Sequence, residues 1–322
     1  MEPGLVTIGT PWMYAVFFAA VLVMIAVDIF ALNKAGSHKV SVKEALVWTI
    51  IWVSVAMLFN AWLWWHMSSD PTIGQAVANQ KALEFLTGYV IEKSLAIDNI
   101  FVFLMIFAYF KIPAEYQRRV LVYGVLGAVV MRAVMISLGA VIVHEFSWVL
   151  YIFGAFLVFT GLKMMLPEKE GDDDLSDNVV LKWMQKHLRV TPTLHGEKFF
   201  VQHNGMRTAT PLFLVLIMIE ISDLIFAVDS IPAIFAVTTD AFIVMTSNIF
   251  AILGLRAMYF LLADVADRFH FLKYGLAGVL TFIGTKMLII EVYKMPISVS
   301  LGVVFALILG SVVASLLIRK PE

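Results

Sequence analysis

No cysteine occurs anywhere in the 322 residues, which removes disulfides, thiol redox chemistry and thiolate metal sites from what this chain can do. Charge is sparse as well. Asp, Glu, Lys and Arg make up 15% of the sequence against 61% hydrophobic residues, and that is more apolar surface than one soluble core can hide. The seven histidines, at 38, 66, 144, 187, 195, 203 and 270, fall at segment ends or in loops, so the apolar stretches hold no imidazole cluster. With thiolate and imidazole gone, oxygen ligands remain. No basic residue precedes the first apolar run and no small-residue cleavage pattern follows it, so that run reads as a retained anchor and not a signal peptide. The solvent these features imply is lipid.

A span needs about 20 apolar residues. On that basis helices are predicted near 12–32, 43–66, 82–110, 118–143, 148–166, 210–237, 242–262, 272–292 and 296–318. The fold class expected is therefore an all-α membrane protein of about nine transmembrane helices. Sorting Lys and Arg by connection gives an independent test, because cytoplasmic loops carry the excess. Sixteen fall in the first, third, fifth and seventh connections and the C-terminal tail, and two, Lys81 and Lys294, fall on the other side. That alternation predicts the N-terminus outside and the C-terminus in the cytoplasm. Trp12, Trp62, Trp64, Trp65 and Trp148 lie near predicted span ends, as an interfacial aromatic belt would.

The long connection 167–208 opens with the acidic run EKEGDDDLSD at 168–177, read as a solvated linker. A basic amphipathic segment at 179–190 follows and is expected along the cytoplasmic headgroups. Next, EKFFVQ and MRTAT flank Asn204-Gly205, a dipeptide that predicts a tight hairpin.

Similar halves lie on either side of that connection. SLAIDNI at 94–100 aligns with IFAVDSI at 225–231, and six positions before each central aspartate stands another acid, Glu92 or Asp223. The next helix carries MRAVMI around Arg132 and LRAMYF around Arg256, and the third carries FTGLKMML against FIGTKMLI, setting Lys163 opposite Lys286. Because each unit has an odd number of spans, the second copy must be inverted, a plan that puts a transport site near the midplane between the halves. The expected divisions are 1–81, two N-terminal helices; 82–166, the first three-helix repeat; 167–209, the cytoplasmic loop; 210–292, the second, inverted repeat; and 293–322, the last helix and tail.

Six acids fall within predicted spans: Asp28, Glu92, Asp98, Glu220, Asp223 and Asp229. Each costs roughly 2.5–3.5 kcal/mol at the bilayer centre unless it faces a cavity or a partner. Lys93, Arg132, Lys163, Arg256 and Lys286 are the bases available for charge pairing or gating, and the bland alternative is that acids and bases simply pair as buried glue. Glu220 and Asp223 share a helical face, whereas Asp223 and Asp229 stand about 120° apart. Pro232 cannot donate to the carbonyl of Val228, so a helix break or kink is predicted beside Asp229. The carboxylates, with Asn99, Ser230, Asn248 on the next helix and freed carbonyls, suit a hard or borderline divalent cation such as Mn²⁺, Mg²⁺ or Ca²⁺. Clustered carboxylates also allow metal release to be coupled to proton uptake.

The segments FLTGYVIEKSLAIDNIFVF at 85–103, RRVLVYGVLGAVVMRAVMI at 118–136, YIFGAFLVFTGLKM at 151–164 and the run from Ala209 to Ala263 resemble the TerC family of bacterial integral membrane proteins. That resemblance implies manganese export across the bacterial inner membrane, in exchange for protons. It puts the family's metal-site motif on Glu92, Asp98, Asn99, Glu220, Asp223, Asp229 and Ser230. Mn²⁺ is then cargo, with no tightly bound cofactor, no enzymatic activity and no nucleic-acid partner. The partners expected are the lipid bilayer and a divalent metal ion. Two other functions stay open at this point: a non-transporting membrane partner or sensor in stress responses, and an amino-acid exporter of the same superfamily.

Overall fold

The computed structural model describes residues 7–35, 40–71, 73–146, 148–165, 188–203, 206–263, 271–289, 292–293 and 295–318. Among them are ten helices: α1 (Pro11–Ala35), α2 (Val42–Ser68), α3 (Gln75–Tyr109), α4 (Ala114–Glu145), α5 (Val149–Met165), α6 (Pro211–Phe235), α7 (Ala241–Leu253), α8 (Leu255–Ala263), α9 (Leu272–Leu288) and α10 (Ile297–Leu317). Among the described residues, helix occurs within each of the nine predicted segments, with α7 and α8 sharing one of them across a 41° bend. Helices α2, α4, α6 and α10 are long and apolar enough to cross a membrane, and the bent α7–α8 pair would make a fifth. Helix α3 is longer still but carries Glu84, Glu92, Lys93 and Asp98.

Local chemistry marks the helix starts. Pro11 and Pro211 open α1 and α6, and Pro113 and Pro296 stand just before α4 and α10, where a residue with preset φ and no amide donor costs nothing. Ser41 caps α2 by accepting from the Glu44 amide at 3.2 Å, and Asp240 caps α7 through the amides of Phe242 and Ile243. Pro232 lies within α6, which stays helical to Phe235.

Packing divides into an aromatic cluster and a close helix pair. Phe17, Phe59, Phe85 and Phe250 come from α1, α2, α3 and α7, with the rings of Phe59 and Phe250 4.8 Å apart. Helices α5 and α9 approach at backbone distance. A Cβ added at Gly161 would lie 2.7 Å from the Ala277 carbonyl, and one at Gly284 would lie 2.6 Å from the Gly154 carbonyl. Such small-residue contacts let helices associate where lipid gives no hydrophobic drive.

The ends of the bundle sort cleanly. Thr7, Ile8, Lys81, Glu84, Thr238 and Asp240 meet at one end, although they come from the N-terminal segment, the start of α3 and the α6–α7 connection. At the other, Val40–Val42, Ala114, Gln117, Phe260 and Ala263 line a cavity of about 370 Å³. Strands β1 (Phe200–His203) and β2 (Met206–Ala209) pair antiparallel with His203 opposite Met206, as the Asn-Gly pair predicted. Leu188, Val190, Leu194 and Phe199 seat this segment on the core cluster that joins α3, α4, α6 and α8. The acidic run 168–177 and nearly all of the 179–190 segment lie outside the described residues.

Candidate functional site

Glu92 and Asn99 are seven residues apart on α3, and Asp223 and Ser230 are seven apart on α6. Two helical turns put each pair on one face, and those faces meet inside the bundle. Between them stands Arg132 from α4, 1% exposed. Its Nε and Nη2 grip Asp223 at 3.2 Å and 3.0 Å as a fork, the bidentate geometry in which guanidinium and carboxylate bind most strongly. Its Nη1 donates to Glu92, to Ser230 Oγ at 3.2 Å and to Asn248 Oδ1 at 3.4 Å. The Asn248 amide, on α7, donates to the second Glu92 oxygen at 3.1 Å, and the Asn99 amide to Asp223 at 3.2 Å. Four helices thus contribute to one polar network.

The network is buried throughout, with Glu92 at 1%, Asp223 at 3% and Asn248 at 0% exposure. One guanidinium faces two acidic side chains in a low-dielectric setting where charges interact strongly. Beside them lies a cavity of about 60 Å³ lined by Glu92, Asn99, Arg132, Ser230, Leu95, Met164, Phe226 and Leu280. A single water needs only about 10–15 Å³ of such space, so the cavity can take a small ion with part of its hydration shell. Glu220, one turn before Asp223, packs against α4 where Gly127 leaves room; a Cβ there would overlap its carboxyl. Glu220 Oε2 is buried with no hydrogen-bond partner among the described residues.

Among the sequence candidates, Glu92, Asn99, Asp223, Ser230, Asn248 and Arg132 come together. Asp98 and Asp229 lie on α3 and α6, next to Asn99 and Ser230, but their side chains and that of Asp28 lie outside the described residues. No group of three or more His, Asp or Glu side chains arranged to hold a metal ion occurs among the described residues. Lys93, a candidate for charge pairing or gating, donates to the Ala251 carbonyl at 3.1 Å. Lys163 and Lys286 occupy the last turns of α5 and α9, where a cation complements the helix dipole. Arg256 is buried on α8.

Sequence reasoning missed a second polar cluster. Lys81 Nζ lies 2.9 Å from Glu84 and 3.3 Å from Asp240. Thr238 donates to Glu84 at 2.6 Å, and Thr7 donates to Asp240 at 2.8 Å. The signal available was Thr238-Thr239-Asp240 before an apolar run, a helix N-cap pattern. Met164, in the wall of the central cavity, left no signal among seventeen methionines.

Residues 77–322 match the family described as Integral membrane protein TerC family. Proteins provisionally named membrane-bound redox modulator Alx are 57% identical to this chain in Escherichia coli K12, over 94% of this chain and 93% of theirs. Those of Photorhabdus laumondii are 53% identical over 98% and 97%. An uncharacterised membrane protein of Myxococcus xanthus, STKORF319, is 47% identical over 97% and 94%. No solved structure matches the chain.

Proposed function

Because this chain belongs to the TerC family of integral membrane proteins, we propose that it exports Mn²⁺ across the bacterial inner membrane in exchange for protons, through nine spans arranged as two inverted three-helix repeats. The observation that carries the reading is the convergence of Glu92 and Asp223, matching acids of the two halves, on one buried cation position beside a cavity. Arg132 fills that position as a tethered counter-ion. An arriving divalent cation brings two charges to the carboxylates and displaces the guanidinium, or part of it, from them. The neutral oxygens of Asn99, Asn248 and Ser230 add the ligands that a hard or borderline cation prefers.

The α5–α9 contact supports the repeat. Under the alignment that sets Lys163 opposite Lys286, Gly154 matches Ala277 and Gly161 matches Gly284, so the Gly154–Gly284 and Gly161–Ala277 approaches are equivalents of each other. Reciprocal contact of this kind is the mark of a two-fold axis. The sorting of connections supports the span count, since the N-terminal segment, the α2–α3 connection and the α6–α7 connection share an end, as an even number of crossings between them requires. The charge alternation supports a cytoplasmic C-terminus. A redox role of the kind in the relatives' name has no thiol to run on here, as the chain lacks cysteine.

Purified protein in liposomes tests the reading. Mn²⁺ flux driven by a proton gradient is expected from the unmodified chain and is expected to fall to background in Glu92→Gln and Asp223→Asn. Flux from the unmodified chain no greater than that of empty liposomes would end the proposal.

A further inference from the structure

The bend between α7 and α8 falls at Gly254. A break of this kind leaves carbonyls of the turn before it without their usual amide donors, and inside an apolar bundle those groups need a partner. The partner here is an ammonium. Lys93 Nζ donates to the Ala251 carbonyl at 3.1 Å, at the negative end of the α7 dipole. Room for it exists because residue 254 has no side chain: a Cβ there would overlap Lys93 Nζ and lie 3.3 Å from Trp52 Cβ. The ring of Tyr89, one turn before Lys93, stands 6.0 Å from the same nitrogen.

Lys93 adjoins Glu92, and Ala251 lies one turn beyond Asn248. Helix α3 therefore holds α7 at two points a turn apart, Glu92 accepting from Asn248 and Lys93 donating to Ala251. We infer that Lys93 is a positioning residue for the cation site: by holding the end of α7 at the Gly254 break, it presents the Asn248 amide to Glu92. This inference rests on the export reading above. The device belongs to one half only, since Leu224 matches Lys93 and Val130, inside the unbroken α4, matches Gly254.

The full-length protein carrying Lys93→Met, Lys93→Arg or Gly254→Ala tests this by amide hydrogen exchange and by Mn²⁺ flux in liposomes. Lys93→Met and Gly254→Ala are expected to speed exchange across residues 250–258 while leaving α5 and α9 as they are. Both should raise the KM for Mn²⁺ about tenfold with the maximal rate kept, as loss of one hydrogen bond to a charged group would. Lys93→Arg keeps the cation and should restore both. Unchanged exchange in Lys93→Met overturns the inference, and so does faster exchange with an unchanged KM. Should the unmodified chain carry no Mn²⁺, the export reading falls, and the exchange result alone decides whether Lys93 holds the break.

Discussion

Arg132→Met removes the guanidinium from between Glu92 and Asp223 while leaving an unbranched side chain in a fully buried slot. Five hydrogen bonds go with it, to Glu92, both oxygens of Asp223, Ser230 and Asn248. Two carboxylates then stay buried without their shared cation. Breaking a buried pair by removing one partner costs about 3–5 kcal/mol, and the forked grip on Asp223 puts this case toward the upper end. Neutralising the acids as well, in Arg132→Met/Glu92→Gln/Asp223→Asn, should recover most of that loss, because buried ionic triads exchanged for neutral groups of similar volume are often no less stable. The assay is thermal unfolding of purified protein in detergent, followed by tryptophan fluorescence, with and without Mn²⁺. If the acid pair is a cation site, Mn²⁺ should stabilise Arg132→Met by about 2.7 kcal/mol at a hundred times that variant's Kd, and at the same concentration should stabilise the unmodified protein less. An Arg132→Met protein that melts with the unmodified one, or that Mn²⁺ leaves unmoved, refutes the reasoning.

Two further outcomes test the frame around the site. Gly161→Leu should keep the protein from accumulating, since its Cβ would sit 2.7 Å from the Ala277 carbonyl and 2.8 Å from the Thr281 amide, both backbone; Gly302→Leu, with nothing within 4 Å, is the control expected to accumulate normally. Asp240→Asn keeps an oxygen for the α7 cap but loses the charge opposite Lys81, whereas Asp240→Ala loses both, so the alanine variant should melt lower by a further 0.5–2 kcal/mol or about that. Equal melting of the two would remove the cap from the account.

The helices could be read in advance because long apolar runs speak through residue type. The Asn204-Gly205 pair declared the β1–β2 hairpin for the same reason. Arg132, Glu92 and Asp223 stood out as rare charges in apolar segments and Asn99 and Ser230 as polar neighbours of Asp98 and Asp229, but the seven-residue intervals that put Asn99 and Ser230 on the faces of Glu92 and Asp223 join residues of unlike type and carry no repeat to mark them. The Lys93 contact with Ala251 could not be read in advance because the acceptor is a backbone carbonyl, which every residue has. Pro232 marked the place of a break or kink beside Asp229 in advance, and α6 stays helical through it to Phe235; the 41° bend between α7 and α8 falls at Gly254, a residue type common in any membrane helix. The cluster around Asp240 joins residues more than two hundred positions apart, and no local pattern announces such a meeting.

That distance has a consequence for how the molecule is made. Thr7 and Asp240 are 233 residues apart, and at about 5–20 residues per second a ribosome needs roughly ten to fifty seconds to go from one to the other. Until then Lys81 and Glu84 have each other but not Asp240, and the N-terminal segment has no anchor at that carboxylate. The end of the bundle where these groups meet therefore closes late, after α6 has been laid down, and a nascent chain stalled before that point would present an unfinished face to quality-control proteases.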